Sequence, residues 1–424
     1  LSLKEIFKNN KIRYSFYILL AQGIFLLCNL YVNHWITINW DIEGFATYNL
    51  IKRIASFIAF PLLIGAGIGI PRYISFLKGH VQRQSYEYLI SGLLLFVSSF
   101  IFFSGLAFLF PSLILEAFDQ SASHSDEVLV CILVFVLSQG LYILLNSYYR
   151  GRVQIGLMSL LNIVIMSILP LFILFAVQDV FVYFYYYSFF TLIITLGIIL
   201  VLGLKTTIFR NRIRNKTIRL FKYGYPRIIA DLGLFSLEFM PIFLTSLYIG
   251  LAESGYLSMI FILLKLASML YELVGSLILP YFGKIFKNEP TAVFISKVNT
   301  LLTLGLALSV VITICLYFLI PIIITQFFPS LHKAIFPAQL VFIAFPIYSV
   351  YLLLRNILDV IVVKAFNSIN LSIVLVIQIL ILASGFYFKN FIVYTVLSIV
   401  VPYFVLGLLT YWIWTNMKKI LKNG

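Results

Sequence analysis

The chain has 424 residues, of which 62% are hydrophobic and only 11% charged, with a formal net charge of +15. An ordinary globular chain carries roughly 25% charged residues. A mean hydropathy of +1.06 describes the whole length rather than one segment. No soluble core absorbs that much apolar surface, so the solvent of this chain is lipid.

A membrane-spanning helix needs about 20 mostly apolar residues. Twelve such stretches follow one another: 15–38, 46–70, 86–110, 128–149, 155–177, 181–204, 223–249, 255–280, 297–320, 336–361, 370–388 and 391–415. The pattern predicts an all-α polytopic membrane protein of twelve transmembrane helices. Spanning β-strands would read as segments of about ten alternating residues, and runs such as 157–177 do not alternate. The first stretch follows Lys4, Lys8, Lys11 and Arg13, like the start of a signal peptide. It is too long for one and ends without a small-residue cleavage site, so it reads as a retained first helix. The longest polar connection, 205–222, lies halfway along the chain. It predicts two lobes, 1–204 and 223–424, joined by a basic linker.

The positive charge is distributed by topology. With the N-terminus cytoplasmic and twelve alternating spans, 24 of the 30 Lys and Arg fall on the cytoplasmic side. Lys333 and Lys389 alone fall opposite, and Lys52, Arg53, Lys265 and Arg355 lie inside spans. This is a strong positive-inside bias, and it accounts for the basic balance without nucleic-acid binding. Both termini are expected in the cytoplasm of a bacterial cell, with the chain in the inner membrane. Acids lean outward: Asp41, Glu43, Glu116, Asp119, Asp126, Glu127, Asp179 and Glu253. The linker alternates basic and apolar residues, which predicts an interfacial helix on the inner leaflet.

The halfway linker prompts a search for duplication. The second span opens Asp41-Ile-Glu-Gly-Phe, carries Lys52 and Arg53, and ends at Pro71. The eighth opens Glu253-Ser-Gly-Tyr, carries Lys265, and ends at Pro280. Two six-helix halves in parallel arrangement would produce this.

An ionisable side chain in hydrocarbon costs about 2.5–3.5 kcal/mol on insertion scales, so it usually faces a polar interior. At 1.5 Å per residue, Lys52 and Lys265 lie about 12 Å and 15 Å below their edge glycines, too deep to reach the outer surface. One reading is a cationic cavity, faced from two lobes, for an anionic headgroup such as phosphate. The other is interhelix pairing with Asp231, Glu238 or Glu272. Arg53 sits about 100° round the helix from Lys52. Arg355 and Asp359 share a helix face at i,i+4, as do Arg227 and Asp231, which favours local pairs over ligand sites. Asp231 and Glu238, seven apart, are candidates for coupling or gating, together with Glu272 and Asp359. Gln22, Asn29 and Asn33 form one polar stripe on the first span, toward the cavity or a neighbouring helix. Gly65 and Gly69 form a GxxxG that reads as close helix packing.

Other chemistry is missing. The sequence has no P-loop, HExxH or G-x-S-x-G. Cys28, Cys131 and Cys315 are scattered through apolar spans, and His34, His80, His124 and His332 are isolated. No enzyme active site, metal site or cofactor is expected.

The Gly44-Phe-Ala-Thr-Tyr opening of the second span, the Pro71-Arg-Tyr-Ile-Ser exit and the Gly255-Tyr-Leu-Ser opening of the eighth occur together. In this combination the chain resembles the Wzx-type polysaccharide-biosynthesis flippases of bacterial O-antigen clusters. That family shares a superfamily (MOP) with the MATE exporters and the lipid II flippase MurJ. The resemblance runs from about Lys4 to Trp414 through short, loose motifs. It implies two six-helix bundles around a central cavity, with alternating access. It implies a lipid-linked oligosaccharide substrate, carried on undecaprenyl pyrophosphate from the cytoplasmic to the periplasmic leaflet, with a lateral opening near the first and eighth spans for the lipid tail. Lys52, Arg53 and Lys265 would correspond to the family's cationic cavity residues. Coupling to an H+ or Na+ gradient, and partnership with a polysaccharide polymerase and a chain-length regulator, are further expectations. Similarity to MurJ is less complete, because that family usually has two more helices. A MATE-like exporter of cationic drugs would favour carboxylates over two deep lysines. An O-antigen polymerase would need a long outer loop with catalytic arginines, where this chain offers only Lys333 and Lys389.

Overall fold

The computed structural model describes residues 10–75, 77, 82–118, 125–204, 210–361, 366–388 and 391–423. The side chains of Asp231, Glu272 and Asp359 lie outside the described residues, as do residues 205–209 at the head of the linker. The chain divides into two compact units, Leu1–Leu232 and Gly233–Gly424. Among the described residues, nine helices are long and apolar enough to cross a membrane. The number rises to twelve when each of three bent helix pairs is taken as one span, which matches the twelve stretches read from the sequence.

In the first unit the helices are α1 (Asn10–Asn39), α2 (Asp41–Leu62), α3 (Ala66–Ser75), α4 (Gln82–Leu109) and α5 (Ser125–Gly151). They continue with α6 (Ile155–Ala176), α7 (Val180–Leu204) and the short basic α8 (Arg210–Gly224). Helix α5 is central and packs against α2, α3, α4 and α7. Its apolar window is 72% buried, against 22% for α4, which turns Phe102, Leu94 and Ile101 outward. An exterior of large apolar side chains is what lipid solvates.

The second span is not one straight helix over 46–70. It breaks between α2 and α3 with a 50° bend. Pro61 interrupts the ladder. Ile64 and Gly65 then take positive φ, +48° and +64°, a region glycine enters without cost. Gly65 also meets the end of α8: a Cβ there would lie 2.7 Å from Gly224 Cα. At Gly69 it would lie 2.9 Å from Leu220 Cδ2. The GxxxG does serve close packing, and its partner is α8.

A broken helix frees carbonyls that lipid cannot satisfy. Gly67 O would normally accept from residue 71, but Pro71 has no N–H. Ser147 Oγ (2.9 Å) and Arg150 Nη2 (2.7 Å) of α5 donate to it instead. Ser99 Oγ donates to Leu62 O at 2.6 Å.

The second unit takes in most of α9 (Ile228–Tyr248), followed by α10 (Leu251–Asn288), α11 (Thr291–Phe327), α12 (Ile335–Ile343), α13 (Phe345–Ile361), α14 (Phe366–Tyr387) and α15 (Phe391–Asn423). Helix α13 packs on α10, α11 and α15. The tenth span bends 56° between α12 and α13. Pro346 removes the i+4 donor to Phe342 O; a backbone N–H at the end of α12 donates to it, joined by Thr313 Oγ1 of α11 at 3.4 Å. The seventh span follows the turn 225–227, which holds Pro226. The eighth span runs unbroken as the 38-residue α10, through Pro280. The second and eighth spans, paired in the sequence by their edge motifs, therefore differ in shape.

The linker is more than a tether. Helix α8 packs on α3 and α4 and belongs to the first unit. Lys216 Nζ lies 2.6 Å from Glu87 Oε2, and Glu87 is 1% exposed. Arg83 Nε approaches the other carboxylate oxygen at 3.6 Å. Cations over rings extend the seam: Lys216 over Tyr88, Arg219 over Tyr73, and Arg227 over Tyr223 at 4.2 Å.

Candidate anion pocket in the first unit

Lys52 sits about three turns into α2 and faces α1. Its Nζ donates to Asn29 Oδ1 and to Tyr48 OH, each at 3.4 Å, and lies 4.8 Å from the Tyr48 ring centroid. Tyr48 precedes Lys52 by four residues, so helical geometry alone stacks the two. Asn33, fully buried, accepts from Asn49 Nδ2 at 3.3 Å and donates to Asn29 O at 2.6 Å. Two members of the polar stripe thus turn toward α2. Gln22 does not join them, and its Oε1 is buried without a hydrogen-bond partner.

Lys52 and Asn29 open into a cavity of about 180 Å³ inside the first unit. Its walls come from α1, α2, α5, α6 and α7, and Lys52 is the only charged residue lining it. Aromatic rings close one side: Tyr48 packs on Tyr183 and Phe184 at centroid distances of 5.6 and 5.4 Å. Gln139 Nε2 donates to Tyr187 OH at 3.4 Å, and Tyr187 OH donates to Ile165 O at 3.2 Å. That carbonyl is available because α6 winds as a π-helix over Val164–Ile168. The widened turn also places Met166 on the cavity wall, just ahead of Pro170. Wide turns of this kind recur at functional sites.

The electrostatics are one-sided. Among the described residues no carboxylate reaches ion-pair distance of Lys52, and its two acceptors are neutral. Of the acids named above as possible partners, the side chains of Asp231 and Glu272 lie outside the described residues, and Glu238 belongs to the second unit. Moving an ammonium out of water costs several kcal/mol unless it is paired, and a wall of rings repays little of that.

The other expected residues stand apart from the pocket. Arg53 is half-buried and does not line it. Lys265 is exposed on α10 of the second unit, where its carbonyl accepts from Ser268. Glu238 is half-buried on α9. Arg355 is half-buried over the Tyr351 ring, and its carbonyl accepts from Asn367 Nδ2 at 3.1 Å. The proposed partners of the local pairs, Asp359 and Asp231, lie outside the described residues, as does Glu272.

The sequence reading missed the pocket's aromatic and amide residues, Tyr48, Gln139, Tyr183 and Tyr187. It also missed Glu87. The i,i+4 spacing of Tyr48 to Lys52 and of Arg83 to Glu87 was the available signal. The tyrosines at 183–187 on α7 gave none, because that helix is apolar all round.

No protein-family model matches the sequence, and no curated protein matches it. Solved structures do. An inward-facing multidrug resistance MATE family transporter of the MOP superfamily superposes with a TM-score of 0.71 at 13% identity, covering 94% of this chain and 96% of that one. A MOP superfamily transporter from Pyrococcus furiosus, described with a binding pocket of reverse polarity, gives 0.68 at 13%, covering 97% and 96%. The lipid II flippase MurJ, in an inward closed conformation, gives 0.69 at 16%, covering 95% and 87%. At these identities the likeness establishes the fold: this chain is a multi-pass, all-helical membrane protein with the architecture of the MATE and MOP transporters.

Proposed function

We propose that the protein is a flippase for lipid-linked anionic saccharide precursors, of the O-antigen or related surface-polysaccharide class. In this reading an undecaprenyl-pyrophosphate-linked repeat unit moves from the cytoplasmic to the periplasmic leaflet of the bacterial inner membrane by alternating access. The observation that carries it is Lys52: a half-buried ammonium, with no carboxylate beside it among the described residues, in a pocket with room for a phosphoryl group. A transporter of cationic drugs gains nothing from such a charge, which repels its cargo.

Each unit contributes its own cations, Lys52 with Arg53 in the first and Lys265 with Arg355 in the second, for the phosphates to meet during the cycle. Asp231, Glu238, Glu272 and Asp359 are the groups we assign to coupling, to H+ or Na+, or to gating. A polysaccharide polymerase and a chain-length regulator would act on the product.

The test is deletion of the gene in its native host, with analysis of surface polysaccharide and of lipid-linked single units. Loss of polymer, with units trapped on the cytoplasmic leaflet, is the expected result. Units that reach the periplasmic leaflet but stay unpolymerised would overturn the reading in favour of a polymerase.

A further inference from the structure

The Lys52 pocket also says what occupies it between cargoes. Its volume of about 180 Å³ admits several water molecules. It fits one small ion with a partial hydration shell. The donors face one way. An ammonium carries three hydrogens, and Lys52 uses two, on neutral oxygens at the long distance of 3.4 Å. Gln139 commits one amide hydrogen to Tyr187 and keeps another. The Asn29 oxygen faces Lys52, which leaves the amide nitrogen of Asn29 as a further donor. The rest of the lining is neutral: aromatic and tyrosine rings, Val32, the Ser56 hydroxyl, a thioether and a proline. A cation walled by low dielectric, with spare donors and no negative group, is complementary to an anion.

We infer that the pocket binds one small inorganic monoanion, of the chloride or nitrate class, as the counter-ion of Lys52. The inference uses the pocket of the proposed flippase but not the identity of its cargo. An arriving phosphoryl group competes for the same ammonium, so cargo entry displaces the ion.

The experiment is chloride-35 NMR line broadening on the full-length protein, purified in a non-ionic detergent with gluconate as the background anion. Wild type is expected to give saturable excess broadening, and nitrate is expected to compete it away. Lys52→Gln should weaken chloride binding by about tenfold or more, the loss of one charge-assisted contact. Lys333→Gln, at an exposed lysine of the other unit, should leave it unchanged. Asn29→Asp guards against a misfolded Lys52 variant. It puts a carboxylate where an amide oxygen already touches the ammonium, and this built-in counter-ion should expel chloride. Broadening that does not saturate in wild type, or that survives both Lys52→Gln and Asn29→Asp, overturns the inference. So does a site that takes inorganic phosphate but no halide. Saturable chloride binding in a protein that moves no lipid-linked saccharide would sink the flippase reading and leave this one standing. Transport with no chloride site would do the reverse.

Discussion

Nζ of Lys52 and Oδ1 of Asn29 lie 3.4 Å apart and join the first two helices across a cavity that holds no other charge. The contact fixes the ammonium in place without neutralising it. Stability and function therefore pull in opposite directions at Lys52. Lys52→Met should leave thermal stability unchanged or raise it, because it removes the desolvation cost of a half-buried ammonium that only neutral groups offset. The same variant should fail to restore surface polysaccharide in a deletion strain. A Met variant that supports wild-type polymer levels would remove Lys52 from the site.

The cations of the two units are expected to act together. Replacing Lys52 and Lys265 with alanine in one protein should abolish transport while the protein still elutes as a folded, monodisperse species. Activity close to wild type in that double variant would end the assignment of both.

Glu87 holds α8 on α4 through Lys216. Glu87→Gln leaves two basic groups facing a neutral amide. The cost should be roughly 1–3 kcal/mol, below the ~3–5 of a fully enclosed pair, because 15% of the Lys216 side chain is exposed. Trypsin cleavage at Arg212, Arg214 and Lys222 should accelerate in step with the lost stability. A double-mutant cycle with Lys216→Met measures the pair directly; a coupling energy near zero would show that the aromatic–cation seam alone holds the helix.

At the bend of the tenth span, Thr313 adds a side-chain donor to Phe342 O, beside the backbone N–H at the end of α12. Thr313→Val should cost about 0.6–1 kcal/mol, the usual range for a hydrogen bond in a membrane bundle. In a Pro346→Ala background the same change should cost less, because the restored N–H reaches Phe342 O. Equal costs in both backgrounds would mean that the Thr313 contact does not serve that carbonyl.

Gly65→Ala tests the break in the second span. The substitution meets both a φ of +64° and a Cβ 2.7 Å from Gly224 Cα. Overpacking of this kind typically costs about 1–3 kcal/mol, with the backbone penalty added. Thermal unfolding should register the sum, and Gly23→Ala, with nothing within 4 Å of its added Cβ, should not.

The location of the twelve spans was legible in the sequence because lipid imposes one simple requirement, about 20 apolar residues in a row. Lys52 was legible as a charge where hydrocarbon should be. The Asn29–Asn33 stripe was legible from its spacing, although spacing could not tell a cavity from a neighbouring helix, and the structure gives it both. Glu87 was hidden, since an acid at the edge of a span looks like a boundary residue until its partner, 129 residues away, is brought alongside. Pro61, Pro71 and Pro346 were visible, but a proline marks only where a helix can bend.

The sequence by itself determined the solvent, the number of crossings and the depth of the unusual charges, all of which follow from composition and helical rise along one dimension. Tertiary structure alone decided which helices break, that the linker belongs to the first unit, and that Lys52 opens into a pocket without a carboxylate. These depend on which side chain stands opposite a freed carbonyl or a bare charge, and that neighbour comes from a distant part of the chain.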